Sequence, residues 1–546
     1  MKFSIAVICI GVCCHAFAES IELTVGEPTG AVVSPYLVGA NIVYSHEDMR
    51  KWDAQSKDDV LLRAGMSNLR YPGGHVVSYW DWEFPYHSAY ANFWDPGYIE
   101  DLTEARRAEL LEENQHRMSL DDYLDTCQNT GALPLIGINM FQGYRNNRLE
   151  DSIAKAVRLV NYCKDRISGP RYYYLDNEAG HQPTKNNHVP TADYISLIPD
   201  YSTAIKEADP EAKIIVNIMQ WNQVQTIVRD YGDYVDLYDQ HWYYNNLTWG
   251  EFWLEEWRKD VQMGDYTRRL DQFNDWIDTH NKPHLKIGFL EWNIGPARGE
   301  NGSTPGSVFY QGLVQADMLM HMINFDVYMG SIWPLTWADS FRNLIDGPDH
   351  EVAPTLHIHR AFSKAGDGAV LSLNDPGIKE LRSLAVKSAD DEFIDLYFLN
   401  KSTESIELDV VLPEPAVETT IVNFAQGVGA DKVSLSETYS LGNQSGLQLV
   451  LGDTSFTYVR CRISGNPQNG GLPQIDIDDN DNVSVIVPDF EQGHTYKLLS
   501  SNSLGDDVSW QLEDEYHAGS GGLLAPLFEL SLPTKSTFYR VLVEAF

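Results

Sequence analysis

Short apolar runs alternate with longer amphipathic segments between residue 36 and about residue 362. Apolar runs of this length are typical of buried strands, and their alternation with helical segments is typical of βαβ units around a parallel sheet. Eight such runs occur: Leu37–Tyr44, Asn68–Tyr71, Leu133–Met140, Tyr172–Leu175, Lys213–Met219, Val235–Tyr238, Lys286–Leu290 and Val327–Trp333. We therefore predict eight parallel strands.

The amphipathic segments between the runs are predicted helices. The main ones are Asp58–Ala64, Ser119–Thr130, Ile153–Ile167, Thr191–Ala208, Trp253–His280 and Phe309–Asn324. Eight strand–helix repeats over more than 300 residues favour a closed barrel over an open doubly wound sheet. A dinucleotide-binding fold is disfavoured because no Gly-rich phosphate loop follows the first run. We expect an α/β chain in which residues 36–365 form a catalytic (β/α)8 TIM barrel.

After about residue 365 the pattern changes to short β-rich runs separated by turn residues, which is typical of a β-sandwich. We assign residues 366–465 to this C-terminal all-β domain, and we expect strands within residues 19–35 to join it. Residues 466–482 are predicted to be an acidic linker, and residues 483–546 a small C-terminal β unit.

Four side chains in the predicted linker, three aspartates and one asparagine, resemble part of a calcium loop. They are Asp476, Asp478, Asn480 and Asp481. The central Gly and the closing Glu of an EF-hand are missing. A solvated acidic linker is therefore favoured, and calcium binding stays open as the alternative.

The amino-acid composition indicates which kinds of molecule the protein can bind. The chain has 40 Lys and Arg against 78 Asp and Glu, a formal charge of −38. Nucleic acids and anionic membranes need basic surfaces, so we expect neither as a partner. The chain is also rich in aromatic residues, with 14 Trp and 29 Tyr, and such side chains often stack on sugars. The composition gives no indication of the oligomeric state.

The N-terminus has the pattern of a signal peptide. Lys2 is followed by the apolar run Phe3–Cys14 and then by Ala16-Phe17-Ala18. We expect residues 1–18 to be removed and the protein to be secreted, either extracellular or periplasmic. The apolar run is too short for a lasting membrane anchor.

The remaining chain has an odd number of cysteines: Cys127, Cys163 and Cys461. They allow at most one disulfide, for which Cys127 and Cys163 are the pair to consider. The chain is therefore not a disulfide scaffold.

Two of the apolar runs lead into a glutamate. One continues into Asp176-Asn177-Glu178 and the other into Glu291-Trp292-Asn293. The carboxyl ends of barrel strands form the active face, and glycoside hydrolysis usually takes two carboxyl groups. A surface carboxylate would explain either glutamate alone, but the pair favours catalysis. We predict Glu178 as general acid/base, with a pKa held up by its surroundings, and Glu291 as nucleophile.

Other predicted strand ends offer supporting polar groups. Arg70 can pair with a catalytic carboxylate, and the sequence Pro72-Gly73-Gly74-His75 that follows it permits tight turns. His241 and Tyr243 can hydrogen-bond Glu291 or the substrate. Asn177 can bond the sugar hydroxyl beside the reacting carbon.

Several tryptophans are candidate sugar contacts, although each is individually more often a core residue. Trp292 could wall off one side of the sugar next to Glu291. The candidate stacking platforms are Trp80, Trp82, Trp221, Trp333 and Trp337.

Four motifs occur in order at four predicted strands: Leu69-Arg70-Tyr71-Pro72-Gly73-Gly74, Asn177-Glu178, His241-Trp242-Tyr243 and Glu291-Trp292-Asn293. As a set they resemble clan-A glycoside hydrolases, nearest to the α-L-arabinofuranosidase type. The resemblance covers the barrel, about two-thirds of the chain. It implies a (β/α)8 barrel with a β-sandwich, and a retaining mechanism with Glu178 as acid/base and Glu291 as nucleophile.

Two positions depart from the arabinofuranosidase pattern. Val43 stands where that pattern has a sugar-binding Glu, and His75 stands where it has an Asn. Other clan-A enzymes, including agarases and porphyranases, share the two-glutamate layout. We therefore expect an oligomeric or polymeric plant or algal glycan as substrate, with an α-L-arabinofuranosidase proper as the alternative.

Rival functions lack their motifs. No His-Glu-x-x-His or comparable metal pattern occurs, and His181 and His188 lie in a loop without partner spacing. No Gly-x-Ser-x-Gly nucleophile motif occurs either. We expect no catalytic metal and no cofactor. A carbohydrate-binding barrel without catalysis is the non-enzymatic alternative, and the presence of both glutamates argues against it.

Overall fold

The computed structural model describes residues 20–51, 57–84, 101–181, 188–244, 257–295, 308–336, 343–346, 351–374, 376–427 and 433–463, and six strands between residues 474 and 544. Within these ranges no helix is both long enough and apolar enough to cross a membrane.

Eight parallel strands close into a barrel. The first ten strands of the chain are β1 (Ile21–Val32), β2 (Gly39–Asn41), β3 (Asn68–Tyr71), β4 (Leu133–Ile138), β5 (Arg171–Ala179), β6 (Ala212–Ile218), β7 (Leu237–Asp239), β8 (Trp242–Tyr244), β9 (Lys286–Ile294) and β10 (Met329–Ile332). The barrel order is β2 to β7, then β9 and β10, and β10 pairs with β2 to close it. Each predicted run overlaps one of these strands, so the predicted fold class is confirmed.

Helices on the outside of the barrel connect its strands. They are α1 (Lys57–Ala64), α2 (Glu104–Asn114), α3 (Leu120–Thr130), α4 (Phe141–Arg145), α5 (Leu149–Lys164), α6 (Thr191–Ala208), α7 (Trp221–Thr226), α8 (Val261–Thr279), α9 (Val308–Asn324) and α10 (Leu356–Ser363). Ser119 begins α3 with a capping box, since its hydroxyl accepts the Asp122 N–H while the Asp122 carboxylate accepts the Ser119 N–H. The helix predicted from Trp253 begins at Val261, after Asp260 adopts a left-handed conformation with φ 58°.

Side chains from alternate strand positions fill the barrel interior. Tyr172 and Tyr174 of β5 pack there with Leu135, Leu237 and other buried residues. Side chains of the opposite strand face, together with the outer helices, form the large surrounding core. This packed interior supports the polar groups at the carboxyl ends of the strands.

The C-terminal domain is an antiparallel sheet of long strands. After a short hairpin of β11 (Ile345–Asp346) and β12 (Glu351–Val352), its strands are β13 (Ala369–Leu373), β14 (Leu381–Lys387), β15 (Phe393–Asn400), β16 (Ile406–Gln426), β17 (Val433–Leu451) and β18 (Ser455–Arg462). Strand β1 pairs with β13 and also with β16. Asp317 of α9 bonds Lys401 Nζ at 2.8 Å, which ties this sheet to the barrel.

Two three-stranded sheets follow, formed by β19 (Gln474–Ile477), β20 (Asn482–Ile486), β21 (Thr495–Ser501), β22 (Gln511–His517), β23 (Leu527–Ser531) and β24 (Phe538–Glu544). The linker expected at 466–482 therefore contains strand β19, because Ile475 and Ile477 alternate with polar residues at the period of a strand. The other acidic positions considered for calcium, 478–481, lie outside the described residues. The three cysteines within the described ranges are free and buried.

Candidate active site

Strand β5 carries Glu178 on a bulge at its carboxyl end. Asp176 and Glu178 adopt left-handed conformations with φ 57° and φ 48°, and the pairing with β6 slips between Leu175 and Ala179. Successive residues of a regular strand point to opposite faces. The bulge breaks this alternation, and both Asn177 and Glu178 can reach the same site.

Hydrogen bonds to buried groups hold the bulge in place. The Asp176 carboxylate accepts the N–H groups of Met140 at 3.0 Å and Phe141 at 2.6 Å. The Glu178 N–H donates to Asn217 Oδ1 of β6 at 2.7 Å. A left-handed conformation of a residue other than glycine costs on the order of 1–3 kcal/mol, and such contacts offset that cost.

Glu291 of β9 is held at both carboxylate oxygens. The Tyr243 hydroxyl donates to Oε1 at 2.8 Å, and Arg70 NH1 donates to Oε2 at 3.1 Å. The residue is 7% exposed, so these two bonds lie within the protein. The sequence prediction for Tyr243 left its partner open, and in the structure that partner is Glu291.

Arg70 of β3 joins three strands beneath the site. It is fully buried and lies over the Tyr174 ring, with 4.4 Å from Cζ to the ring centroid. Besides Glu291, it donates to Asn41 Oδ1 at 2.9 Å and to Asn177 Oδ1 at 2.7 Å. The planar guanidinium thus fixes a carboxylate and two amides in one arrangement.

His241 lies between the two glutamates. Its Nδ1 is 2.8 Å from Glu178 Oε1 and 3.7 Å from Glu291 Oε2, and its Nε2 is 3.2 Å from Asp239 Oδ2. A carboxylate oxygen of Glu178 lies within 4.8 Å of one of Glu291. The two glutamates from separate strands therefore meet at a single site.

Burial and charge act in opposite directions on the titration of this pair. Burial lowers the proton affinity of His241, but Glu291, Asp239 and the hydrogen bond to Glu178 raise its pKa to about 10. Burial raises the pKa of Glu178, but the hydrogen bond from His241 and the charges of His241, His75 and His181 together outweigh burial, and the pKa lies below its usual range. The expectation that the surroundings hold up the pKa of Glu178 is therefore wrong for the protein without substrate.

His75 follows the turn that begins after β3. Its Nδ1 is 3.0 Å from Asn177 Nδ2, and its Nε2 is 3.5 Å from Glu178 Oε2. Asn177 uses its oxygen to accept from Arg70, so its NH2 group must face His75, and His75 Nδ1 must accept. The proton of a neutral His75 is then on Nε2, directed towards Glu178. Burial lowers the pKa of His75, which favours this neutral form.

The chain is similar to known proteins over parts of its length. No protein-family model matches the chain. An intracellular exo-α-(1→5)-L-arabinofuranosidase of Acetivibrio thermocellus is 23% identical over 265 residues, covering 41% of this chain and 46% of the relative. A protein of the same name from Streptomyces lividans is 22% identical over 263 residues, covering 43% of this chain and 37% of the relative. The chain spans less than half the length of these curated relatives.

Solved structures match over more of the chain. The α-L-arabinofuranosidase of Thermotoga maritima, in complex with arabinose, superposes with a TM-score of 0.62 at 14% identity, over 81% of this chain and 100% of that one. The chain therefore has a fold like that of this α-L-arabinofuranosidase. CelM2, a bifunctional glucanase-xylanase from a metagenome library, superposes with a TM-score of 0.55 at 13% identity, over 82% of this chain and 99% of that one.

The comparison contradicts one expectation about this arabinofuranosidase-like protein. We expected a secreted protein, but both curated relatives are named intracellular enzymes. The names of these relatives contradict the expectation of secretion, which is therefore wrong. Residues 1–18, on which it rested, lie outside the described residues.

Most of the candidate tryptophans of the arabinofuranosidase-like protein do not lie at the glutamates. Trp80 and Trp292 are 3% and 0% exposed, so their faces are covered by protein and are not open to a sugar. Trp82 Nε1 donates to the Lys155 carbonyl of α5, and Trp221 Nε1 donates to Gln272 of α8. These two rings pack against the outer helices.

Trp333 is the candidate that lies beside the site. A side chain added at Gly74, next to His75, would begin 2.4 Å from Trp333 Cη2, so the indole packs directly on the glycine backbone. Trp337 lies outside the described residues.

Two groups at the site have spacings that a metal ion could use, namely Glu178 with His75 and His181, and Glu178 with His241 and Glu291. We assign no metal ligand to either group. The imidazoles of both groups already bond other protein groups, with Asn177 beside His75 and Asp239 beside His241.

Three residues of the site were missed in the sequence: Asn41, Asn217 and Asp239. Each is 0–3% exposed and lies at or near the carboxyl end of a barrel strand. A polar residue that ends a buried apolar run needs a partner inside the protein. That signal was present in the sequence and could have identified them.

Proposed function

We propose that the protein is a retaining glycoside hydrolase in which Glu291 is the nucleophile and Glu178 the general acid/base. The observation that carries this proposal is the separation of less than 4.8 Å between carboxylate oxygens of the two glutamates. Retaining enzymes hold their two carboxyl groups about 5–5.5 Å apart, whereas inverting enzymes leave about 6.5–9.5 Å for a water molecule.

The contacts of the two glutamates support different roles. Glu291 accepts from Arg70 and Tyr243, which hold its carboxylate in one orientation, as a nucleophile requires. Glu178 instead faces imidazole groups that can exchange protons, with His241 Nδ1 at 2.8 Å. Glu291 would attack the anomeric carbon while Glu178 protonates the leaving oxygen, and water would then release the sugar from Glu291.

Residues Asn177 and Val43 bear on the choice of substrate. The Asn177 oxygen accepts from Arg70 and one N–H of its NH2 group donates to His75, which leaves the second N–H for a sugar hydroxyl. Val43, where the arabinofuranosidase pattern has an acidic sugar ligand, is 1% exposed and has no polar group to offer. We propose an oligomeric or polymeric plant or algal glycan as the substrate.

The second candidate function is an α-L-arabinofuranosidase proper. Both curated relatives carry that activity in their names, and this observation favours it. CelM2, with a similar fold, is named a glucanase-xylanase, so polymer hydrolysis is also compatible with this architecture.

A panel of polysaccharides tests hydrolysis itself. Purified protein should release reducing ends from at least one of xylan, agar, porphyran and carrageenan. Glu291→Ala serves as the inactive control and Glu207→Ala as the matched control, because Glu207 is exposed on α6. Binding of a glycan without release of reducing ends by the wild-type protein would favour a non-catalytic binding barrel.

The specificity constant should be low for 4-nitrophenyl α-L-arabinofuranoside and higher for oligosaccharides of the cleaved glycan. Each lost hydrogen bond to a buried hydroxyl costs about 1–3 kcal/mol, or roughly 5- to 150-fold in rate. Initial rates at low substrate concentration measure both constants. Efficient hydrolysis of the small arabinoside, with every glycan left intact, would return the protein to the arabinofuranosidase interpretation.

A further inference from the structure

The protonation state of His241 follows from its three carboxylate neighbours. Nδ1 faces Glu178 at 2.8 Å and Glu291 at 3.7 Å, while Nε2 faces Asp239 at 3.2 Å. A neutral imidazole has one N–H, so one of its nitrogens would present a lone pair to an ionised carboxylate. The imidazolium form donates on both sides. His241 is 6% exposed, so water competes little for these contacts.

Asp239 is fixed so that it can only hold Nε2 of His241. It is fully buried, and its other oxygen accepts the Leu290 N–H at 2.8 Å. Its backbone carbonyl accepts from Asn217, the residue that also accepts the Glu178 N–H. Because Nε2–H bonds Asp239, the proton that His241 exchanges with Glu178 is the one on Nδ1.

The charges around His241 come from several elements of the barrel. The carboxylates are Asp239 at the end of β7, Glu178 on β5 and Glu291 on β9, and the cation is Arg70 on β3. His75 and His181 lie on the far side of Glu178, at 3.5 Å and 4.0 Å from it. Three carboxylates against one guanidinium leave a net negative charge, which a charged His241 reduces.

We propose that His241, held by Asp239, carries the proton that Glu178 delivers to the leaving oxygen. The loss of the negative charge on Glu291 moves this proton from His241 to Glu178, and the return of that charge moves it back. Asp239 is then a positioning residue that acts through His241. The proposal rests on the proposed glycosidase function and adds the origin of the catalytic proton.

In the first half-reaction a Glu291 oxygen forms a bond to the anomeric carbon, and the bond from that carbon to the leaving oxygen breaks. The leaving oxygen takes a proton from Glu178, and Glu178 takes the Nδ1 proton of His241. Glu291 becomes a neutral ester, so the attraction that held the positive charge on His241 is lost as the proton departs.

The second half-reaction reverses the proton movement. The oxygen of a water molecule bonds to the anomeric carbon, and the ester bond breaks and returns its electron pair to Glu291. The water proton passes to Glu178 and then to His241 Nδ1, because Glu291 is again an anion. One water is consumed, and the protein returns to its starting protonation state.

The test follows the imidazole nitrogens of His241 by NMR in the full chain labelled with 15N-histidine, without any ligand. His241→Gln assigns the signal. In the wild-type protein His241 should stay charged through pH 8. In Asp239→Asn and in Glu291→Gln, which imitates the neutral ester, it should lose its proton at a pH lower by about one unit or more, a tenfold weaker proton affinity.

Asp233→Asn is the matched control, because Asp233 is 76% exposed and pairs with Lys282 away from the site. Circular dichroism checks folding, and Glu291→Gln keeps the test decisive if Asp239→Asn does not fold. On a glycan that is cleaved, the alkaline limb of kcat should move to lower pH in Asp239→Asn. A neutral His241 at pH 7 in the wild type, or an unmoved titration in both folded variants, overturns the proposal. The NMR result is independent of whether any glycan is cleaved, so the two proposals can fail separately.

Discussion

Replacing Glu291 with alanine should abolish turnover, lowering kcat by about ten-thousandfold or more. The substitution removes the atom that forms the covalent bond to the sugar, and it leaves Arg70 and Tyr243 without their shared acceptor. Initial rates on the cleaved glycan measure the effect. Glu207→Ala, on an exposed face of α6, should retain wild-type rates.

Glu178→Ala should give a different defect from Glu291→Ala. Without its general acid, the protein should still react with substrates whose leaving groups need no protonation. Azide should rescue the two variants differently. In Glu178→Ala it attacks the covalent intermediate without the base that water needs, and in Glu291→Ala it takes the place of the missing nucleophile. Equal loss on activated and unactivated substrates in Glu178→Ala would contradict the acid/base assignment.

The second large effect is expected for Arg70→Lys. Lysine keeps the charge but loses the planar fork that reaches Glu291, Asn41 and Asn177 together. Losing charge-assisted bonds costs about 1.5–3 kcal/mol, so kcat should fall roughly 10- to 150-fold.

Arg171→Lys is the matched control for Arg70→Lys. Arg171 is also buried, and two of its guanidinium nitrogens donate to the Asp209 carboxylate. It lies at the start of β5, at the end of the barrel opposite the site. That variant should lose stability while the folded protein keeps its kcat. Near-wild-type turnover in Arg70→Lys would show that the Arg70 guanidinium is not needed to orient Glu291.

The barrel could be predicted because the strands of a parallel barrel are covered on both faces. Such strands are continuous apolar runs, and each of the eight runs overlaps one. Helix α2 was missed because it consists mostly of Arg and Glu and has too few apolar residues to show the spacing of an amphipathic helix. Only Leu110 and Asn114 of that helix are buried. Strand β19 was missed because its aspartates resemble a linker composition.

The site was only partly predictable for a geometric reason. Sequence gives the strand ends at which Glu178, Glu291 and Arg70 lie, but it does not give the bulge that turns Asn177 and Glu178 towards one site. It also does not determine which carboxylate a histidine meets. His241 was therefore predicted to contact Glu291 or the substrate, whereas its closest contact at the site is Glu178.

The tryptophan predictions depended on which strand face each ring occupies. Trp292 follows Glu291 on β9, but its ring is fully buried and stacks on His359 of α10, with 5.6 Å between ring centroids. Trp333 lies beside the site because it follows the last strand, where the chain turns across Gly74.

The stereochemistry of the first product tests the two-glutamate double displacement most directly. Proton NMR of the newly formed reducing end, recorded within the first minutes of hydrolysis, distinguishes the anomer released by the protein from the one formed later by mutarotation. The close approach of Glu178 and Glu291 predicts an anomer with the configuration of the bond that was cleaved. An inverted first product would contradict the covalent role of Glu291, even if both glutamates proved essential.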